Sequence, residues 1–439
     1  MKKLTILVLL LIMVLSLVGN VAAVNQYDLI RAIYDENPEQ VKKLVEAGVD
    51  INSVADSGFT PLIIASSEGN SEIIEILIEA GADINKSIST DTAFGYSYNP
   101  LMMAAREGKP EAAKLLIREG ANVDTKLENK LEQVYTALRY AIESHSSEVV
   151  KILLENGAEV DEEYNYGLNP IIVAAKDDSL FNDSGNNTKV LNILINNGAD
   201  VNSTANYEKT ALMEAAKQGN LAEAKILINE GANINASNNF FGTASALMRA
   251  ASNGYKEIVE LLIENGANIR YRSNGGDTIL MDAAYNGHSE IIEILIAEGA
   301  QVNSKNDDGD TALMIAARRG FPQAIETLIE EGANLNSENY NDKTALMEAV
   351  TEKNSDVVKV LLENNVDINK AIDIAKENDN EEIVNLFEEH YYQQADDLAG
   401  YNRYLEEYPS GKYAAEVKRK KEQYYYKRAK EDKYYSQYL

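Results

Sequence analysis

The 439-residue chain has no cysteine and no tryptophan, only three histidines and only seven prolines. Without cysteine there is no disulfide, no thiolate metal site, no cysteine nucleophile and no thiol-linked lipid anchor. His145, His288 and His390 lie far apart in the chain, which leaves little for imidazole ligation or acid–base chemistry. Scarce proline and the lack of a three-residue glycine period exclude collagen-like and proline-rich architectures. No P-loop, nucleophile elbow or His-x-x-x-His pair occurs. An enzyme is therefore not expected, and no catalytic residue, cofactor or metal ligand is assigned. A content of 45% hydrophobic and 25% charged residues excludes wholesale disorder. Length alone suggests about three compact domains, a prior that fails when a short unit repeats.

Positive charge is also in short supply, and the net charge is −29. It is unevenly spread: residues 411–439 carry nine Lys/Arg against four Asp/Glu, Lys2 and Lys3 sit at the N-terminus, and the stretch between carries −36. Such an acidic body repels phosphate backbones, so nucleic acid is not an expected partner, and self-repulsion favours a monomer.

Long apolar runs are few. Leu4 to Val18 follows the basic head Met1-Lys2-Lys3, Gly19-Asn20 breaks the run, and Val21-Ala22-Ala23 offers small or branched residues for cleavage. This is the layout of a secretory signal peptide, and the run falls short of the ~20 residues that span a bilayer. Residues 1–23 are thus expected to be a signal peptide, with the mature chain starting near Val24 in a periplasmic or extracellular location. The alternative is an uncleaved N-terminal membrane anchor. No later stretch is long and apolar enough to be an integral span.

From residue 25 onward one sentence recurs ten times. Its first clause reads Thr60-Pro-Leu-Ile-Ile-Ala-Ser66, Asn99-Pro-Leu-Met-Met-Ala-Ala105, Thr136-Ala-Leu-Arg-Tyr-Ala-Ile142, and so on through Thr344-Ala-Leu-Met-Glu-Ala-Val350, with a degenerate first copy at Tyr27. Its closing clause runs from Gly48-Val-Asp-Ile-Asn52 to Asn365-Val-Asp-Ile-Asn369, and the closing glycines are spaced by 33, 39, 37, 41, 33, 35, 33 and 33 residues. Thr or Ser at the first position can cap a helix, and the closing Gly suits the left-handed residue that ends one. A second helix such as Ile73-Ile74-Glu75-Ile76-Leu77-Ile78 has apolar residues at helical spacing. A lone unit cannot bury its apolar face, whereas a stack can.

The period and the first clause resemble the ankyrin repeat, with its T-P-L-H-x-A helix start, here of a bacterial, secreted type. The resemblance covers residues 25–369, with a truncated copy to about 389. It implies an all-α solenoid of about ten helix-turn-helix repeats with finger loops. Met replaces the family's His at 102, 213, 248, 281, 314 and 347; one Met per repeat inside a helix reads as core filling rather than soft-metal binding. Relative to a standard repeat, the finger before repeat 3 gains six residues and that before repeat 4 gains four. Repeat 5 gains eight, within Asp177–Asn187 between its helices. Asn306-Asp307-Asp308-Gly309-Asp310 hints at a calcium loop but lacks the glutamate at position 12, and reads as a tight finger turn.

Beyond a clipped, polar last copy the composition shifts: twelve of the 25 Tyr lie in 391–439. Tyr401 to Ala415, broken at Pro409-Ser-Gly411, weakly resembles a single unit of tetratricopeptide-like envelope modules and predicts a helical hairpin. The expected organisation is a signal peptide (1–23), an ankyrin domain with its cap (24–389) and a Tyr/Lys-rich hairpin tail (390–439).

The resemblance implies an exported scaffold that binds a partner protein through fingers and concave inner helices. The alternative is an envelope-associated structural protein whose basic tail grips an anionic surface. Nearly every finger carries aromatics: Phe94, Tyr96, Tyr98, Tyr135, Tyr164, Tyr166, Tyr207, Phe240, Phe241, Tyr271 and Tyr340. These could bind a partner or pack on neighbouring fingers. The candidate protein-binding strip in repeats 7 to 9 comprises inner-face Arg249, Tyr285, Arg318 and Arg319 with finger residues Phe240, Phe241, Tyr271 and Arg272, and Tyr340 is a further candidate. Arg318 and Arg319 are expected to be exposed, and the strip to be cationic and to draw an acidic or amphipathic surface; the alternative is that these arginines only neutralise nearby carboxylates such as Asp282 and Glu348.

Overall fold

The computed structural model describes residues 25–55, 58–89, 96–164, 167–176, 184–237, 245–364 and 366–435. Twenty-four α-helices among them form twelve consecutive pairs. Ten pairs are the ten repeats, the eleventh (Asn369–Glu377 and Glu381–Gln393) is the clipped last copy, and the twelfth (Leu398–Glu407 and Ala414–Tyr435) is the tail hairpin. The chain divides into two compact units, residues 1–233 and 234–439. The first holds repeats 1 to 6; the second holds repeats 7 to 10, the cap and the hairpin. Within each unit, first helices stack on first helices and second helices on second helices. This is the all-α ankyrin architecture. No described helix is long and apolar enough to cross a membrane.

The first clause makes the first helix for a local reason. The side chains of Thr60, Asn99, Thr136, Asn169, Thr210, Ser245, Thr278, Thr311 and Thr344 each accept a bond from the backbone N–H three residues on. Each such cap stabilises its helix by about 1 kcal/mol. The following Leu and the Ala pair are buried, as in Leu101, Ala104 and Ala105 or Leu212, Ala215 and Ala216, and the small alanines permit close helix approach. Met102, Met213, Met248, Met281 and Met314 are buried in the same row, so the methionine stripe is core.

The turn between the two helices needs a left-handed residue that is also a landing site. Gly69, Gly254 and Gly320 have φ of +82°, +84° and +77°, and a Cβ there would strike Lys109, His288 and Asn354 of the next repeat. Glu36, His145, Lys353 and Asp379 hold the same turn with φ of +48°, +55°, +62° and +49°, in a region that non-glycine residues enter at a cost of about 1–2 kcal/mol. Lys353→Gly should therefore raise stability by about 0.5–1 kcal/mol, the strain relieved less the added freedom of the unfolded chain. An unfolding midpoint in urea that stays put or falls would contradict this.

The closing asparagine stitches each repeat to the next. Asn52 Nδ2 donates to Gly81 O (3.2 Å) while its Oδ1 accepts from Asp83 N (2.8 Å). Asn235 does the same to Gly266 and Asn268, and Asn303 to Gly332 and Asn334. Asp124 and Asp161 keep only the accepting half. Arg270 stands in this place after repeat 7, and among the described residues no such stitch joins repeats 7 and 8.

The two lengthened fingers become β-hairpins. In the first, β1 (Ile88–Ser89) pairs antiparallel with β2 (Ser97–Tyr98); in the second, β3 (Leu127–Glu128) pairs with β4 (Val134–Tyr135). The extra residues of repeat 5 fall mostly at 177–183, outside the described residues; Ser184–Asn196 is a 13-residue second helix.

At the C-terminus the tyrosines are largely packing groups. The helix Glu381–Gln393 runs through position 390, where the composition begins to shift. Tyr392 stacks on Tyr413 at 4.1 Å, and Tyr404 Oη donates to the buried Glu388 carboxylate at 2.6 Å. A Cβ on Gly411 would collide with that carboxylate. The hairpin is thus docked on the cap, and only the far half of Ala414–Tyr435 stands away from it, with Tyr425 and Tyr426 exposed.

Candidate functional site

Counting from the cap as position one, the fifth and eighth residues of each first helix carry the variable side chains. In repeats 8 to 10 the fifth position holds Asp282, Ile315 and Glu348, and the eighth holds Tyr285, Arg318 and Thr351. Because first helices stack in register, the eighth residue of one repeat lies beside the fifth of the next. The structure accordingly brings Tyr285, Arg318 and Arg319 together in one cleft of about 210 Å³, shared with Asp277, Asp282, Asp308 and Asp310.

Two arginines that are neighbours in sequence have different jobs. Arg318 Nη2 meets Asp310 Oδ2 at 2.7 Å, and its Nε and Nη2 each reach the Glu348 carboxylate at 3.2 Å. Asp310 and Glu348 are only 3% and 4% exposed, and Asn339 Nδ2 donates to Asp310 Oδ1 at 2.7 Å. Burial works against the Arg318 charge, but the bonds to Glu348 and Asp310 more than offset it and push its pKa above the usual guanidinium value. Arg318 is therefore half-buried and committed to two carboxylates, which corrects the expectation of an exposed binding group. Its neighbour Arg319 is exposed: it lies 4.3 Å over the Tyr285 ring and donates to Tyr285 O.

The cleft is not the purely cationic strip the residue types suggested. Four aspartates line it beside two arginines, and one arginine is already paired. The Asp282 carboxyl makes no hydrogen bond or ion pair among the described residues. Burial, with Asp277 as a second cause, pushes it up to about 7. Asp277 itself accepts from Asn306 Nδ2 at 2.7 Å.

The finger residues separate into three groups. Arg272 Nη1 donates to Gly276 O and Lys305 O, both at 2.9 Å, so it braces two fingers; Tyr271 is half-buried. Tyr340 is 71% exposed at the tip of the finger of repeat 10, its N–H donating to Asp308 O of the finger before it at 3.1 Å. Phe240 and Phe241 lie outside the described residues, as do Phe94 and Tyr166. Arg249 is half-buried at a fifth position, one repeat before Asp282. In repeats 3 to 5, by contrast, Tyr98, Tyr135 and Tyr164 are buried, so those aromatics pack rather than project. Tyr207 and Tyr285 are about half exposed.

The segment Asn306–Asp310 is a finger turn. Asn306 Oδ1 accepts from the N–H groups of Asp308 and Asp310, and Gly309 N donates to Asn306 O. No group of three or more acidic or histidine side chains among the described residues is arranged to hold a metal. Sequence patterning missed Asp277, Asp308, Asp310 and Asn339 as members of the site. The signal that could have found them is the register between repeats, which places the fingers of repeats 8 to 10 side by side.

A family profile described as ankyrin repeats (3 copies) matches residues 12–88, 29–127, 101–182, 180–273, 212–306 and 280–372. A search among curated proteins finds no match. The profile matches cover most of the chain, and the capped first helices, left-handed turns and stacked fingers repeat in step with them: the chain belongs to the ankyrin-repeat family.

Proposed function

We propose that this protein is an exported scaffold that holds a partner protein against the fingers and first helices of repeats 8 to 10. Ankyrin repeats suggest a protein–protein interaction scaffold, and such arrays are typically non-enzymatic. The observation that carries the finer reading is the exposure of Tyr285 (49%), with Arg319 over its ring, and of Tyr340 (71%) at a finger tip, on a unit whose core is complete without them. Tyr and Arg are the side chains most often found as interface hot spots. Export rests on the signal-like residues 1–23.

A photo-crosslinking residue placed at Tyr285 or Tyr340 of the full chain, in its own cells, tests both halves. The expected result is one crosslinked protein from each site, none from a control at Glu293 on the second helix Ser289–Ala297, and an N-terminus near Val24 on the recovered chain. Equal crosslinking from Glu293 would overturn the surface, and an intact Met1 on cytoplasmic protein would overturn export.

A second reading has its own observation. The helix Ala414–Tyr435 presents Lys418, Arg419, Lys427, Arg428 and Lys430 to solvent along its length, which favours a tail that grips an anionic envelope surface alongside the scaffold role.

A further inference from the structure

The lengthened fingers of repeats 3 and 4 enclose a second cavity, of about 380 Å³, in the first unit. Its wall includes Tyr96, Tyr98, Tyr135 and Tyr140, with Arg106 and Glu143 at eighth positions of the first helices. Its volume lies within the range of small-ligand pockets. Both lengthened fingers contribute to it, through Tyr96 and Tyr98 from the first and Tyr135 from the second.

The hydroxyls of two rings are already engaged: Tyr135 Oη donates to Gln133 Oε1 at 3.2 Å and Tyr140 Oη to Ser97 O at 3.4 Å. Tyr140 stacks on both Tyr98 (5.3 Å) and Tyr135 (5.0 Å), and Arg139 lies over Tyr135 at 4.1 Å. These contacts engage ring faces on one another and on arginine, and a ring edge is electropositive. Arg106 Nη1 donates to Tyr98 Oη at 2.9 Å, which leaves the Tyr98 proton as a donor. Burial pushes the Tyr98 and Tyr140 phenols up, so both keep their protons.

Arg106 is the cation with capacity to spare. Its ion pair with Glu107 is long, 3.7 Å, and its side chain is 47% exposed. Glu143 does not compete for it, being held by Arg139 at 2.8 Å. Glu143, the acidic residue on the cavity wall, is thus matched by Arg139. Screening over ~8 Å at physiological salt weakens the field of the more distant acidic groups.

We propose that the Tyr98–Arg106 corner of this cavity binds a carboxylate carried on an apolar or aromatic stem, as at the C-terminal end of a peptide. The identification of the stem as peptide rests on the scaffold reading; the carboxylate site does not. Guanidinium and phenol together form charge-assisted bonds that a neutral amide cannot match.

Hippurate, an aromatic amide ending in a carboxylate, is a suitable probe, and hippuramide is its neutral counterpart. Titrated calorimetrically into the full chain, hippurate should bind saturably in the roughly millimolar range and at least about tenfold tighter than hippuramide, a difference of about 1.4 kcal/mol. Arg106→Gln should abolish that preference, and Arg118→Gln, on the exposed face of the second helix Pro110–Arg118, should keep it. Equal binding of the two probes, no saturable binding of hippurate, or an unchanged preference in Arg106→Gln would each overturn the site. The comparison of the two probes on the unaltered chain holds even if Arg106→Gln folds poorly. Crosslinking from Tyr285 and Tyr340 reports on the other unit, so the scaffold reading and this site can fail separately.

Discussion

Arg318→Ala is expected to destabilise the unit 234–439 by about 3 kcal/mol, whereas Arg319→Ala should change it by less than about 0.5 kcal/mol. The two residues are adjacent on one helix end, and residue type alone treats them alike. The difference lies in what each leaves behind. Removing Arg318 strands the Asp310 and Glu348 carboxylates, which are almost fully buried and keep only Asn339 and the more distant Lys343, 3.9 Å from Glu348. An uncompensated buried charge is far more damaging than the intact pair is helpful. Removing Arg319 takes away a solvent-facing contact with Tyr285. Arg318→Lys should recover only part of the loss, since an ammonium cannot span two carboxylates as a planar fork does. Urea unfolding of the three variants, with hydrogen exchange across Ala312–Arg319 and Ala345–Thr351, gives the comparison. Equal, small shifts for Arg318→Ala and Arg319→Ala would refute the clamp. A double substitution of both arginines cannot separate binding from folding, so only Arg319→Ala is suited to probing partner affinity.

Much of the architecture was legible because each repeat announces itself locally. The capping Thr, the buried Leu and Ala pair and the left-handed Gly each act within a few residues, so reading along the chain finds them. The hairpin at Tyr401 to Ala415 was legible for the same reason: Pro409-Ser-Gly411 can only be a break. What was not legible lies across repeats. Arg318 finds Asp310 eight residues earlier, a spacing that means nothing within one helix, while Glu348, thirty residues later, was legible only as one of the carboxylates these arginines could neutralise. The asparagines Asn52, Asn235 and Asn303 look like solvated side chains in a single copy and become hydrogen-bonded stitches only when copies stack. The finger aromatics show the same limit. Tyr98 and Tyr135 are buried because their fingers are long enough to fold into hairpins over Tyr140, while Tyr340, on a finger of standard length, is left at a tip. Tyr164 is also buried, on a finger of standard length beneath Arg139, so exposure was set by what each ring meets and not by residue type. The same holds for charge: Asp277, Asp282, Asp308 and Asp310 come from two fingers and one helix, and their convergence beside Arg318 makes acidic a cleft whose basic residues alone were conspicuous.

That convergence has a pH signature, and Asp282→Asn isolates it. Asp282 is ionised in the unfolded chain above its ordinary value of 3.8, whereas burial, then Asp277, holds it protonated in the folded unit up to about 7. Below about pH 4 both states bind the proton and the group contributes nothing. Between about pH 4 and 7 the unfolded state gives up its proton first, so stability falls as pH rises; above 7 the penalty is constant. In a fully enclosed site a rise of that size would correspond to a penalty of about 4 kcal/mol, and the partial opening of the cleft to solvent brings it to about 2 kcal/mol. The charged groups that share the cleft with this carboxyl are Asp277, Asp308, Asp310, Arg318 and Arg319. Arg318 does not relieve it, because that charge is taken by Asp310 and Glu348. Asp282→Asn keeps the shape and removes the ionisation, so its stability should match the parent near pH 4, exceed it progressively through pH 5 and 6, and reach a constant advantage of about 2 kcal/mol above pH 7. A constant difference at every pH, or a loss of stability that grows toward high pH, would mean that Asp282 is ionised and compensated in the folded cleft. In that case the arginines reach it after all.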